Sequence, residues 1–519
     1  MTDDYPLLRW VRNACCLVFA IILALVLFYA PGVEFLCKKA LLVNHGLFLF
    51  ICALALGATL VVALCWFYKK QPQLPRVSPR LFACYMGIST SVLIAVQLLL
   101  IYGISFKTGW DVWWLTSVDR QDPGLVDYLS RYPNQIVMFA ILRVFMVIGK
   151  IVGLSGYVSL EIASAVCVST SLVLVAYAIG SIFGPRVAIA AHGFAMLFIG
   201  LSPWIVIPYS DTFGMFMPAA VLWAYTCIHN RHSQRFLVLL FSFLGYLIKP
   251  ISIFILFGVC AVEAYRWVKN RNRFTIKSFA QGVVCIVCAL VLMQAVSGAA
   301  HRVVPTLDDS KSFSLTHFLM MGANESTGGG YCNDDVIASA SISDQATRSE
   351  FNIRTFVERV SSRSIVQNID FGLHKLMASF ADGTFAWGCE GNFFAEQHGR
   401  SPALQSFFGV FPSSEADGAI YAQLCQIFWL FTLSGLAFGF VSRDVHRGEV
   451  AAYSALIMLA VFLVIFECRA RYLLLYMPFF VAFGFVGWVK VPSRFLRTFR
   501  QPHRPAIRYG YSSSSVTSR

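Results

Sequence analysis

Twelve apolar runs divide most of this chain, each near or above the ~20 residues that a helix needs to cross bilayer hydrocarbon. They lie at about 14–33, 47–67, 81–105, 158–182, 187–206, 212–228, 235–249, 251–267, 279–297, 419–441, 450–466 and 472–490. Soluble cores alternate apolar and polar residues at helix or strand spacing, so runs of this kind need lipid to cover them. Charged residues make up 13% of the 519, about half the ~25% of a soluble domain. The expected fold is an all-α polytopic membrane protein with about 12 transmembrane helices. Asp3, Asp4, Arg9 and Arg12 precede the first run without a small-residue cleavage site, so that run is expected to stay as a span rather than be removed as a signal peptide.

A thirteenth segment, "NQIVMFAILRVFMVIGKIVGL" (Asn134–Leu154), is apolar but carries Arg143 and Lys150. Parity decides its role. If it does not cross and the N-terminus is cytoplasmic, Lys69 to Arg80, Arg186, Arg231 with Arg235, the run Arg266 to Lys277, Arg443 with Arg447 and the basic tail Lys490 to Arg508 all fall inside. Among the basic clusters flanking the spans, the Lys38–Lys39 pair is then the exception to the positive-inside rule. If it crosses, the later basic loops are exported. Arg143 and Lys150 fall about two turns apart on one helical face, which suits an amphipathic helix lying in the interface.

The net charge of +14 is absorbed by the same rule, and no basic, aromatic-interleaved soluble segment exists to hold nucleic acid. Most of the 15 cysteines sit inside the runs as small hydrophobes. Cys285 and Cys288 have metal-like spacing but no second pair. Cys332 and Cys389 share a long polar segment and would be free to pair if it faces an oxidising compartment.

The organisation read from these patterns is two additional N-terminal spans (1–80), a transmembrane module (81–297) with a first external loop at 106–157, an extracytoplasmic segment (298–418), three C-terminal spans (419–490) and a basic tail (491–519). The long segment contains "HFLMMG", "FGLHKLMASF" and "TFAWG", apolar enough to need burial, so it is expected to fold over the membrane mouth. Within it, "NESTGGGY" (Asn324–Tyr331) has the glycine content of a mobile element or a plain surface turn.

The map places Asp111 of "KTGWDVWWL", Asp211 of "PYSDTF", Lys249 of "IKP", and Arg469 and Arg471 of "ECRARY" on one side, the extracytoplasmic one. A carboxylate at a membrane interface is costly to dehydrate. Basic residues outside run against the charge rule, and guanidinium forks suit phosphate oxygens. Acid and cations together fit transfer from a lipid-phosphate carrier, the cations stabilising the departing phosphate while a carboxylate takes a proton from the attacking hydroxyl.

A loop acid after an early span, then "YPNQ" (Tyr132–Gln135), "PYSDT", "GYLIKP" and a late "RARYLL" resemble the GT-C superfamily of polyprenyl-phosphate-sugar-dependent glycosyltransferases, more narrowly its bacterial branch similar to protein mannosyltransferases (glycosyltransferase family 39-like). The similarity runs from about 81 to 300 and returns near 467–478. The resemblance implies Asp111 as catalytic base, Asp211 as a supporting residue, and Lys249, Arg469 and Arg471 as contacts of the donor phosphate. Tyr132, Asn134 and His317 are further substrate-binding candidates. The family often has an acidic pair where this chain has "GWDVWW", so Asp119, Asp122 and Asp127 stay open as alternates for the base.

The implied reaction is a single displacement with inversion, from a polyprenyl-phosphate sugar to an extracytoplasmic acceptor (glycan, wall polymer, lipid or protein), in the cell membrane with both termini cytoplasmic. No cofactor is required, since two cations neutralise a monophosphate. A divalent cation (Mg or Mn) held by Asp111 and Asp211 is the alternative. Two other functions compete: a polysaccharide ligase or polymerase using a lipid-linked donor, and a 12-span secondary transporter or lipid-linked sugar exporter, which would show two related halves and midplane polar residues.

Overall fold

The computed structural model describes residues 6–32, 46–70, 77–117, 119, 121–269, 276–304, 306–387, 394–410 and 420–498. Helices dominate, and the strands among these residues are the two-residue pair β1 (Phe106–Lys107) and β2 (Glu396–Gln397). Among the described residues, ten helices are long and apolar enough to cross a membrane, by length and composition. All but one coincide with expected spans. The exception is Pro133–Ile151, the segment expected to lie in the interface.

Three expected crossings fall below that standard. The run at 187–206 is broken into a helix (Pro185–Ala195), a π-turn (Met196–Gly200) and a 3-10 turn (Pro203–Val206). The run at 212–228 is a short helix, Phe216–Cys227, and that at 235–249 is the more polar Arg231–Ile248. Broken or short helices are tolerated at membrane depth where protein covers the backbone. Here the buried Gln97 donates to the Gly200 carbonyl at 2.8 Å, meeting the break. Continuous runs are therefore a better guide at the lipid-facing rim than inside the bundle.

Contacts define two ends of the bundle. At one, buried Arg12 of the first helix donates to the carbonyls of Ser442 and Asp444, and Lys490 of the last helix pairs with buried Glu449. Arg266 and Arg447 gather on Glu263 through contacts of 2.8 and 3.7 Å, and Tyr225 donates to the same carboxylate. At the other end, helix Pro79–Ile104 finishes beside the start of Gly156–Phe183, with Ser105 Oγ donating to Glu161 Oε1 at 2.6 Å and Tyr157 to the Phe106 carbonyl at 2.9 Å.

Helix Ile136–Ile151 starts and finishes at this second end. The preceding Gln135 bonds to Tyr209, Arg143 donates to the Ser117 carbonyl in the first loop, and Gly149 packs on Ser159 at the start of the next helix. Its length and apolarity would let it span, but the residues before it, in its middle and near its end all pack on groups of this second end, and Arg143 is absorbed by the loop. The first loop thus contributes helices lying across the mouth.

The segment beyond residue 301 folds over that mouth. Helix Gln345–Ser361 packs on Leu315–Gly322 around Phe313, Met321, Cys332 and Val336. Helix Ile365–Phe380 then descends into the bundle, where Phe380 stacks on Trp429 at 6.2 Å.

Candidate active site

Asp111 opens the helix Asp111–Leu115, directly after the β1 strand. Pairing of Phe106 with Gln397 and Lys107 with Glu396 fixes how the chain leaves the preceding span. Lys107 Nζ sits 3.9 Å over the Trp113 ring and Trp110 meets Tyr209 edge-on at 5.0 Å, so the tryptophans hold the turn that carries the acid.

The "PYSDT" turn supplies the next two groups. Thr212 Oγ1 accepts from Tyr209 N at 3.3 Å and donates to the Ile207 carbonyl at 2.8 Å, tying the turn on itself. Tyr209 donates its hydroxyl hydrogen to Asp111 Oδ2 at 2.7 Å and accepts from Gln135 Nε2 at 3.1 Å. Burial, reinforced by the Asp111 charge, pushes the phenol pKa well up, so Tyr209 keeps its proton and remains a donor.

Two residues on, fully buried Asp211 pairs with Lys249. Lys249 caps helix Arg231–Ile248, its N–H reaching the Gly245 carbonyl, and Pro250 prevents the helix from continuing. Burial lowers the Lys249 pKa and Asp211 opposes that shift. Its ammonium also lies 4.7 Å over Tyr472.

Arg471 joins the two acids' surroundings. Its Nη2 is 3.6 Å from Asp111 Oδ2, and its guanidinium lies 4.4 Å from the Trp110 ring and 5.3 Å from that of Tyr209. The residue is only 6% exposed, yet among the described residues Nε and Nη1 have no hydrogen-bond partner. Arg469 turns the other way: its Nε is 3.4 Å from Glu467 and its guanidinium 5.6 Å over Tyr331.

Asp111, Lys249, Arg469, Arg471, Tyr132 and Asn134 all line one cavity of about 1500 Å³. Asp211 stands behind it, joined through Lys249. Of the alternates, Asp119 and Asp122 accept local backbone N–H groups at 2.8 Å, Asp122 as a helix cap. Asp127 reaches the rim but is paired with Arg131 and Lys311 at 2.8 and 3.1 Å. Asp111 is the acid placed against both Tyr209 and Arg471.

His317 is a correction. It is fully buried, stacked on Phe313 at 4.1 Å with Nδ1 2.9 Å from Ser339 Oγ, and burial pushes its pKa down to about 4. It belongs to the packing of the overlying region and is outside the cavity wall. The mobile reading of "NESTGGGY" is also corrected: Cys468 N donates to the Gly329 carbonyl at 2.9 Å, and Lys375 donates to the carbonyls of Gly322 and Phe466 at 2.5 and 2.7 Å. Gly329 has φ +75, and a Cβ there would meet Lys375 at 2.7 Å, so glycine serves close packing. The open question of a Cys332–Cys389 pairing involves a residue outside those described; Cys332 itself is buried and accepts from Asn324.

A divalent ion between Asp111 and Asp211 does not fit this donor set. Lys249 already pairs with Asp211 through Oδ1, Arg471 lies beside Asp111, so each carboxylate faces a fixed cation, and among the described residues no three His, Cys, Asp or Glu side chains gather into a ligand group.

Fold and site together define a class: a polytopic all-α integral membrane protein with an acid, cation and aromatic cavity at one end of its bundle. The chain matches, over residues 7–490, the model of a family described as conserved hypothetical integral membrane protein, and it belongs to that family. No curated protein and no solved structure matches it.

Proposed function

We propose that the protein is a membrane glycosyltransferase that moves a sugar from a polyprenyl-phosphate donor to an extracytoplasmic acceptor. The observation that carries this reading is Arg471: a nearly buried guanidinium at a cavity, touching a carboxylate on one side, with two further donors that no described residue satisfies. Leaving buried charged donors unmatched costs more than ~1 kcal/mol each, so such donors favour a ligand with anionic oxygens. A lipid phosphate supplies them.

In this mechanism Asp111 accepts the proton of the acceptor hydroxyl as its oxygen attacks the anomeric carbon. The bond from that carbon to the phosphate oxygen breaks, and the electron pair leaves on the lipid phosphate. Arg471 and Lys249 balance its charge, with Arg469 at the cavity's far wall. Tyr209 and Arg471 both engage Oδ2 of Asp111, which leaves Oδ1 for the proton. Tyr246, Phe254 and Phe462 give the cavity an apolar flank suited to the carrier's first isoprene units. The cluster of Arg12, Arg266, Arg447 and Lys490 at the opposite end supports a cytoplasmic placement of that end and an extracytoplasmic site.

The test is transfer of radiolabelled sugar from polyprenyl-phosphate donors by the purified protein, with mass spectrometry of surface glycans in a deletion strain to identify the product. No loss of any surface glycosylation and no transfer in vitro would reject the function.

A further inference from the structure

We infer that Gln135 is a specificity-determining residue whose side-chain oxygen receives a hydroxyl of the sugar being transferred. The inference rests on the glycosyl-transfer reading and adds to it a residue that reads the sugar rather than the phosphate.

The argument begins with directionality. A carboxylate only accepts, so the 2.7 Å contact between Tyr209 and Asp111 consumes the phenol's single hydrogen. The phenol oxygen can then only accept from Gln135, 3.1 Å away. That requires the amide's NH2 end to face Tyr209, which fixes the flip of the side chain. Oε1 is thereby turned away from the tyrosine. It is buried, in a residue 7% exposed that lines the cavity, and among the described residues nothing donates to it.

A buried amide oxygen without a donor costs ~1–3 kcal/mol, enough to make a donor-bearing ligand preferred there. The position says which ligand. The Tyr209 bridge keeps Gln135 Nε2 within about 6 Å of Asp111 Oδ2, one sugar-ring width from the proposed base. Arg471 touches the same Asp111 oxygen, so a phosphate on its free donors and a nucleophile on Asp111 bracket the anomeric carbon. The ring attached to that carbon extends beside Gln135. Its hydroxyls are the donors in reach, whereas the polyprenyl chain and the phosphate carry none.

The test compares detergent-purified wild type, Gln135→Met and Gln135→Glu for binding of bare polyprenyl monophosphate and of the same lipid carrying a hexopyranose or a pentofuranose. Bare lipid reports the Arg471 site and the integrity of each variant. Wild type is expected to bind at least one sugar-loaded lipid about 10-fold more tightly than the bare lipid. That preference is expected to vanish in Gln135→Met and to survive in Gln135→Glu, which keeps an acceptor oxygen. Equal binding of bare and loaded lipids by wild type, or a preference retained by Gln135→Met, overturns the inference while leaving the phosphate site standing. Failure of wild type to bind even the bare lipid overturns the inference and the proposed function together.

Discussion

Arg471 brings its Nη2 to 3.6 Å from Oδ2 of Asp111, joining the turn before the last span to the loop after the third. The pair explains how Arg471 tolerates its burial: the half-exposed carboxylate partly neutralises a guanidinium that is otherwise held by the faces of Trp110 and Tyr209. It also links the two halves of the proposed reaction. Arg471→Lys keeps the charge but loses the fork, and is expected to lower sugar transfer about 100-fold while leaving detergent-extracted yield unchanged. Asp111→Asn is expected to abolish transfer with folding intact. Full activity of that variant in a radiolabelled transfer assay would reject the base assignment.

How much of this was readable in advance varies residue by residue. Charges that violate the positive-inside rule were legible, because Lys249 and Arg471 have no reason to be at that end unless a site holds them. Tyr209 and Gln135 do not stand out in the sequence, although both lie within the "PYSDT" and "YPNQ" motifs, since a tyrosine or an amide at a membrane interface is ordinary. Their roles depend on one turn closing against the first loop, a long-range contact. The place of His317 is hidden for the same reason: its partners, Phe313 and Ser339, come from separate turns of the overlying region. The broken helix around Gly200 hid among apolar residues because burial in protein, not lipid contact, sets its composition.

Asp211 and Lys249 form a buried pair whose separation should be costly. Removing one partner strands the other charge, so Asp211→Asn or Lys249→Met alone is expected to destabilise the protein by about 3–5 kcal/mol. Asp211→Asn combined with Lys249→Met should cost less than the two single losses added together, because the pair is removed as a unit. Thermal inactivation of the four proteins in detergent measures the coupling. Additive losses would show that the two groups act separately.

The buried imidazole of His317 gives the overlying region a pH dependence with a definite sign. Its folded pKa is about 4, below the ordinary 6.5. Above pH 6.5 both states hold it neutral; as pH falls toward 4 only the unfolded state gains the proton. Stability contributed by the neutral ring is therefore fully present at pH 7 and is lost by up to about 3 kcal/mol across that window. Hydrogen exchange of helices Leu315–Gly322 and Gln345–Ser361 at pH 7 and pH 4.5 should show accelerated opening in acid. His317→Gln is expected to flatten the difference, and an unchanged difference would assign it to other groups.

Helix Ile136–Ile151 supplies the topological prediction on which the common placement of the site depends. It is followed by a tight turn at Gly153 and by the Gly149 to Ser159 packing that returns the chain to the level of Phe106. An epitope tag inserted after Gly153 is therefore expected to be reached from the same side as one at exposed Asp119, ahead of the helix, and from the outside of intact cells. A tag placed after Arg508 should be reached only after permeabilisation. If the helix crossed the bilayer, the Gly153 and Asp119 tags would report opposite sides, and the even number of crossings that gathers Asp111, Lys249 and Arg471 at the external face would fail.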